Sequence, residues 1–263
     1  MNRLRLTATL VAVALIAAAC SGSDTDFSTT SFPPTSTTGT VTSTTTASPS
    51  PTTTLPTTTA TPSTTTAPPT TTTLAGTPVD FGPTAGKVLA VVGVEFDDVL
   101  NVRRGPGVGE EIVATAAPTY AAFVAAGNTR QLPRSFWYEM NKDGTTGWVS
   151  AAFIGYLGEV DDATADVIAF HGETPSGNSD QTVIDAVVAA FASAEPASRV
   201  TTTVALTDGD LHEVTVDVID LGDDAVLGFR LHIFIQVEDG IHGLKSVERT
   251  LLCTRGVLGG FCV

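Results

Sequence analysis

Basic side chains are scarce in this chain. Thirteen Lys and Arg stand against 28 Asp and Glu, for a formal net charge of −15 over 263 residues. An acidic surface repels phosphate backbones, which excludes nucleic acid as a partner. Charge of either sign is thin, at 16% of residues, so the chain is not a solvated acidic tail without a core. No apolar run reaches the roughly 20 residues that a membrane-crossing helix needs. Only three cysteines are present, with no Cys-x-x-Cys pair. The four histidines, His171, His212, His232 and His242, show neither His-Glu-x-x-His nor His/Cys ligand spacing. His212 and His232 read as solvated or hydrogen-bonded strand histidines, a facing pair on neighbouring strands being the less favoured alternative. Asp161-Asp162, Asp208 with Asp210, and Asp223-Asp224 are loop acids on a solvated face, without the register of a calcium loop. No catalytic residue, metal site or cofactor is read from these patterns.

What is present first is an export signal. Residues 1–19 carry Arg3 and Arg5, an apolar stretch at residues 6–16 interrupted only by Thr7 and Thr9, and Ala17-Ala18-Ala19 before Cys20. Small residues directly before a cysteine resemble the lipobox of bacterial lipoproteins, with Ala17 where that family prefers Leu. The resemblance implies cleavage before Cys20, lipidation of its sulfur, and attachment to the cell membrane facing the exterior. Cysteine arithmetic points the same way, because an odd cysteine in an exported protein needs an explanation. Lipidated Cys20 leaves Cys253 and Cys262 as a pair. A plain secreted protein is the alternative.

Residues 20–80 form an expected lipidated N-terminus and disordered linker. Nine of the 15 prolines fall here, among Ser and Thr, and no charged residue lies between Asp26 and Asp80. Such a segment has little to bury and cannot offset the entropy of ordering. At about 3.1 Å per residue for polyproline II, some 60 residues reach on the order of 180 Å when fully extended. The segment reads as a spacer and an O-glycosylation stalk, or as a linker of incidental length.

Residues 81–157 change to short apolar runs broken by turns, the pattern of a small β-barrel. Leu100-Asn101-Val102-Arg103 alternates faces, Gly105-Pro106-Gly107 turns, and Phe136-Trp137-Tyr138-Glu139-Met140 alternates again. The run Leu100-Asn101-Val102-Arg103-Arg104-Gly105-Pro106, then Trp137, then Gly147-Trp148-Val149 resembles the bacterial SH3 family. The likeness departs from the family at Arg104 and in an Ala-rich stretch at residues 113–126, which is expected to enlarge one loop. It implies a non-catalytic recognition module for peptidoglycan peptides or an envelope protein, with Trp137 and Tyr138 in an aromatic groove rimmed by Asn101 and Arg103. Trp137 and Tyr138 are adjacent in a strand, so only one can be core. Trp148 reads as core.

Residues 158–263 hold eighteen acidic and five basic side chains and carry nearly all the net charge. Ser179 is an N-cap for a helix whose apolar face is Val183, Ile184, Val187, Val188 and Phe191, ended by Glu195-Pro196. Strands follow at residues 199–206, 211–221, 227–237 and 244–253, joined through Asp208-Gly209 and Asp239-Gly240 turns. One helix on a curved antiparallel meander gives an α+β domain of cystatin-like or NTF2-like shape. Cys253 and Cys262 close a short glycine-containing loop and read as a disulfide worth about 2–3 kcal/mol. A redox or nucleophilic thiol is the alternative. The ending is similar to the C-terminal tails of secreted actinobacterial proteins of unknown function.

The expected fold class is therefore mostly β: a small SH3-like β-barrel and a C-terminal α+β domain behind a disordered linker. The expected function is a non-catalytic, membrane-anchored envelope lipoprotein that binds peptidoglycan or an envelope partner. The alternatives are a ligand or ion sensor through the acidic domain, and a cell-wall hydrolase within residues 158–263.

Overall fold

Period-two alternation of apolar and polar residues turns most of the chain into strands. The computed structural model describes residues 73–263; Cys20 and most of the expected linker lie outside them. In chain order the elements are β1 (Thr77–Val79), β2 (Val88–Val91), β3 (Leu100–Arg103), β4 (Ile112–Ala116), β5 (Phe123–Leu132), β6 (Ser135–Lys142), β7 (Thr145–Ser150) and β8 (Ile154–Asp162). Then come α1 (Thr164–His171), β9 (Ser176–Gly177), α2 (Asp180–Phe191), β10 (Arg199–Thr207), β11 (His212–Ile219), β12 (Val226–Glu238), β13 (Ile241–Cys253), β14 (Val257–Leu258) and β15 (Phe261–Cys262).

The main path of strand pairing runs β10-β11-β12-β13-β8-β2-β5-β6-β7-β3-β4, all antiparallel. It has two ends and does not close into a barrel among the described residues. β8 joins the two stretches of sheet: its first residues pair with β2 and its later ones with β13. The expected domain boundary at 157/158 thus falls inside a single strand. β1 adds to β5, so three residues of the expected linker belong to the sheet. Pro78 is tolerated there because an edge strand leaves one row of amides unpaired.

Two apolar layers hold this sheet. One gathers Leu100, Val102, Phe123, Met140 and Val149 with Ile154. The other packs Val183, Ile184 and Val187 of α2 onto Val216, Leu231, Ile233 and Val247. Each side chain of this size, fully buried, stabilises by about 1.5–3 kcal/mol. Ser179 caps α2, its Oγ accepting from the Thr182 amide at 3.3 Å, as the sequence indicates. The helix stops at Phe191, before Glu195-Pro196. Two helices are present where one was expected: the N-cap residue of α1, Ala163, offers no side-chain acceptor and the helix buries only Val167, so no apolar stripe announces it. The Ala-rich stretch is not an enlarged loop. It supplies the end of β4, a short connection and the start of β5, with Ala116, Phe123 and Ala125 buried.

A buried ion pair ties the sheet together across β8. Asp217 of β11 is fully buried and accepts from Arg230 Nε at 2.7 Å and Nη2 at 2.8 Å. Its Oδ2 also accepts the Gly93 amide at 2.8 Å, and Arg230 Nη2 donates to the Val91 carbonyl at 2.9 Å. Gly93 has φ +60°, and a Cβ there would lie 2.6 Å from Ile219 Cδ1, so only glycine fits this junction. Cys253 and Cys262 form a disulfide with Cα atoms 5.2 Å apart, pinning β15 to the end of β13.

Candidate functional site

The alternation of β3 buries Leu100 and Val102 and turns Asn101 and Arg103 to the other face. On β6 the same rule separates Trp137 from Tyr138. Tyr138 packs on the core beside Met140 and Val149, where burial pushes its phenol above the ordinary value. Trp137 faces the side of Asn101 and Arg103. It is the floor of a groove of about 330 Å³ whose walls include Asn101, Arg103, Glu95, Asp98, Val108 and Phe153. The ring is covered, at 3% exposure, and its indole N–H donates to Ser135 Oγ at 3.0 Å. Arg103 Nη1 donates to the Glu110 carbonyl at 2.8 Å, which fixes the guanidinium at the rim. Of the four residues singled out from the sequence, three meet in this groove. Tyr138 does not, because it takes the core position of the adjacent pair. Trp148 is buried as expected, at 3% exposure.

Above the covered Trp137 ring the groove offers two exposed valines, Val99 and Val108, one guanidinium and two carboxylates. That set can hold a small ligand with an apolar part and charges of both signs. No histidine or cysteine lines it.

A second constellation was not read from the sequence. Asp180 is the first residue of α2, held there by the Ser179 cap. His212 opens β11 and His242 lies near the start of β13. His212 Nδ1 is 3.0 Å and 3.1 Å from the two Asp180 oxygens, and His242 Nδ1 is 2.8 Å from Oδ1. The three side chains are 14–19% exposed. Burial pushes the Asp180 carboxyl up, but the hydrogen bonds from His242 and His212 outweigh it and hold the group below its ordinary value. His212 and His232 do not face each other. Register puts His212 opposite Ile235 and His232 opposite Thr215, and His232 lies 3.2 Å from Glu213 and 3.7 Å from Glu248. The signal available in the sequence was topological. In a meander, alternate strands run the same way, so the starts of β11 and β13 share one end of the sheet.

Of the acids read as loop acids, Asp161 and Asp162 instead end strand β8, and four of the six have structural partners. Asp161 pairs with Arg249, Asp162 accepts the Thr164 amide at 2.9 Å, Asp223 accepts the Ala225 and Val226 amides, and Asp224 pairs with Arg255. None of the described helices is long and apolar enough to cross a membrane. Comparison with protein-family models, with characterised proteins and with solved structures finds no match for this chain.

Proposed function

We propose that the protein is a non-catalytic cell-envelope lipoprotein, anchored through Cys20 and facing the cell exterior. In this reading residues 81–157 are an SH3-like recognition module that binds peptidoglycan, or a protein partner of the envelope. The observation that carries it is the meeting of Asn101, Arg103 and Trp137 in one groove, the residues on which the bacterial SH3 resemblance places ligand contact. Pre-formed walls favour recognition, because little ordering entropy is lost on binding. The mixed charge of the groove suits short peptides, which carry carboxylates and ammonium groups together.

The test is co-sedimentation of the full-length protein with purified peptidoglycan. Wild type sediments, and Asn101→Ala/Arg103→Ala and Val108→Asp sediment less at an unchanged melting temperature. No soluble muropeptide is released. Release of muropeptides by wild type overturns the non-catalytic reading, and equal sedimentation of all three proteins removes the groove from it. Cys20→Ala moves the protein from the membrane fraction to the soluble or secreted fraction; unchanged detergent partitioning of this variant refutes the anchor.

A further inference from the structure

We infer that Asp180, His212 and His242 form a binding site for a divalent transition-metal ion, zinc being the ion that best suits the donor set. The inference is independent of the groove and rests on how three distant segments converge. Asp180, His212 and His242 come from a helix start and two strand starts, and their donor atoms all lie within 4.8 Å of one another. Two imidazoles and one carboxylate are borderline-soft and hard donors that suit zinc and its neighbours in the first transition row. Calcium takes six to eight oxygens and is a poor match.

The geometry is close to what such an ion requires. With metal–ligand bonds of about 2.0–2.2 Å, tetrahedral donors stand roughly 3.3–3.5 Å apart. The Asp180 oxygens are already 2.8–3.1 Å from the two Nδ1 atoms, so a separation of about half an ångström makes room. Both Nδ1 atoms point at the same oxygen, Oδ1. Without a cation each imidazole must therefore carry a proton on Nδ1 to satisfy that arrangement. A metal ion takes the Nδ1 lone pairs in place of those protons, and each neutral ring then carries its single proton on Nε2 instead.

The surroundings also favour a cation. The three side chains are 14–19% exposed, which weakens screening and leaves access from solvent. Residues 158–263 contribute eighteen acidic and five basic side chains, a field that concentrates cations. Three protein donors leave at least one coordination position for water or a ligand, the donor count of zinc sites that exchange ligands. The other cluster, His232 with Glu213 and Glu248, has side chains 36–57% exposed and serves as the internal control.

The experiment is calorimetric titration of zinc into full-length protein stripped with a chelator, alongside thermal melts. Wild type binds one zinc ion with a rise in melting temperature that grows with zinc concentration. Loss of an outer-shell partner already weakens metal sites about 10–100-fold, so loss of a ligand is expected to weaken this one by about 100-fold or more. His212→Ala, His242→Ala and the near-isosteric Asp180→Asn each show that loss, and melts without zinc confirm that each variant is folded. His232→Ala binds as wild type does. A variant that fails to fold is replaced by Gln at the same histidine, which keeps bulk but alters the donor. The inference is overturned if folded wild type binds no zinc, if binding survives in the His212→Ala/His242→Ala double variant, or if only His232→Ala abolishes it.

Discussion

Tyr138 and Trp137 differ by one position and by the layer that each joins. Tyr138 packs with Met140 and Val149, so Tyr138→Ala is expected to destabilise by at least about 2 kcal/mol, below the roughly 3–5 kcal/mol of a fully buried aromatic. Trp148→Ala, at a 3% exposed position, is expected to reach that upper range of about 3–5 kcal/mol. Denaturant unfolding measures both. A Tyr138→Ala protein as stable as wild type would place the ring in solvent and reverse the assignment. Alternation along β6 tells a reader that Trp137 and Tyr138 oppose each other. It cannot tell which face is core, because here both faces are covered: one by the apolar layer, the other by the walls of the groove. On β3 the same alternation was enough, since Leu100 and Val102 are apolar and Asn101 and Arg103 are not.

Helices α1 and α2 show what made an element readable. Ser179 announces α2 and Val183, Ile184 and Val187 fill its buried stripe, so cap and period agree. Ser179→Ala removes an acceptor for the Thr182 amide and is expected to destabilise by about 0.5–2 kcal/mol in equilibrium unfolding; no measurable change would mean that the cap contributes nothing. α1 offered only a stop signal, Gly172, which ends it at φ +79°. Its start depends on Asp162, whose carboxylate accepts from Thr164. That contact holds the Asp162 carboxyl below its ordinary value of 3.8. The unfolded chain therefore binds this proton more readily than the folded one. The stabilisation is complete above pH 3.8 and is lost as pH falls from there through the lowered folded value. Asp162→Ala is accordingly expected to melt below wild type at neutral pH, with the gap narrowing under acid below pH 3.8. A gap that stays constant across that range would show that the charge of Asp162 is not what supports α1. The long strand β12 was readable within a few residues because Leu227 to Val237 alternates without a break, and β13 because the Asp239-Gly240 turn sends the chain back beside it.

At the scale of the molecule, the outer face of β12 was the misleading feature. Arg230 alternates with Phe229 and Leu231, so the pattern alone assigns it to solvent. Instead that face is covered by residues 91–93, and Arg230 meets Asp217 directly across the β11–β12 ladder. Sequence periodicity describes one strand at a time and is silent about a second stretch of sheet lying over it. The consequence is mechanical. β8 is shared, the Asp217 carboxylate is satisfied by groups from both stretches, and Gly93 is held between Asp217 and Arg199. Removing one partner of a buried pair leaves an uncompensated charge, a loss of about 3–5 kcal/mol. Arg230→Ala is therefore expected to lower stability by about that amount. The effect should reach residues far along the chain, because both tryptophans, Trp137 and Trp148, lie on the other side of β8. Their fluorescence midpoint should fall together with the far-ultraviolet circular dichroism midpoint, in one transition, if the described residues unfold as a unit. Two independent domains would behave differently. The tryptophan transition would then stay at the wild-type temperature while circular dichroism split into two steps, because a defect in β12 would never be felt at β6 and β7.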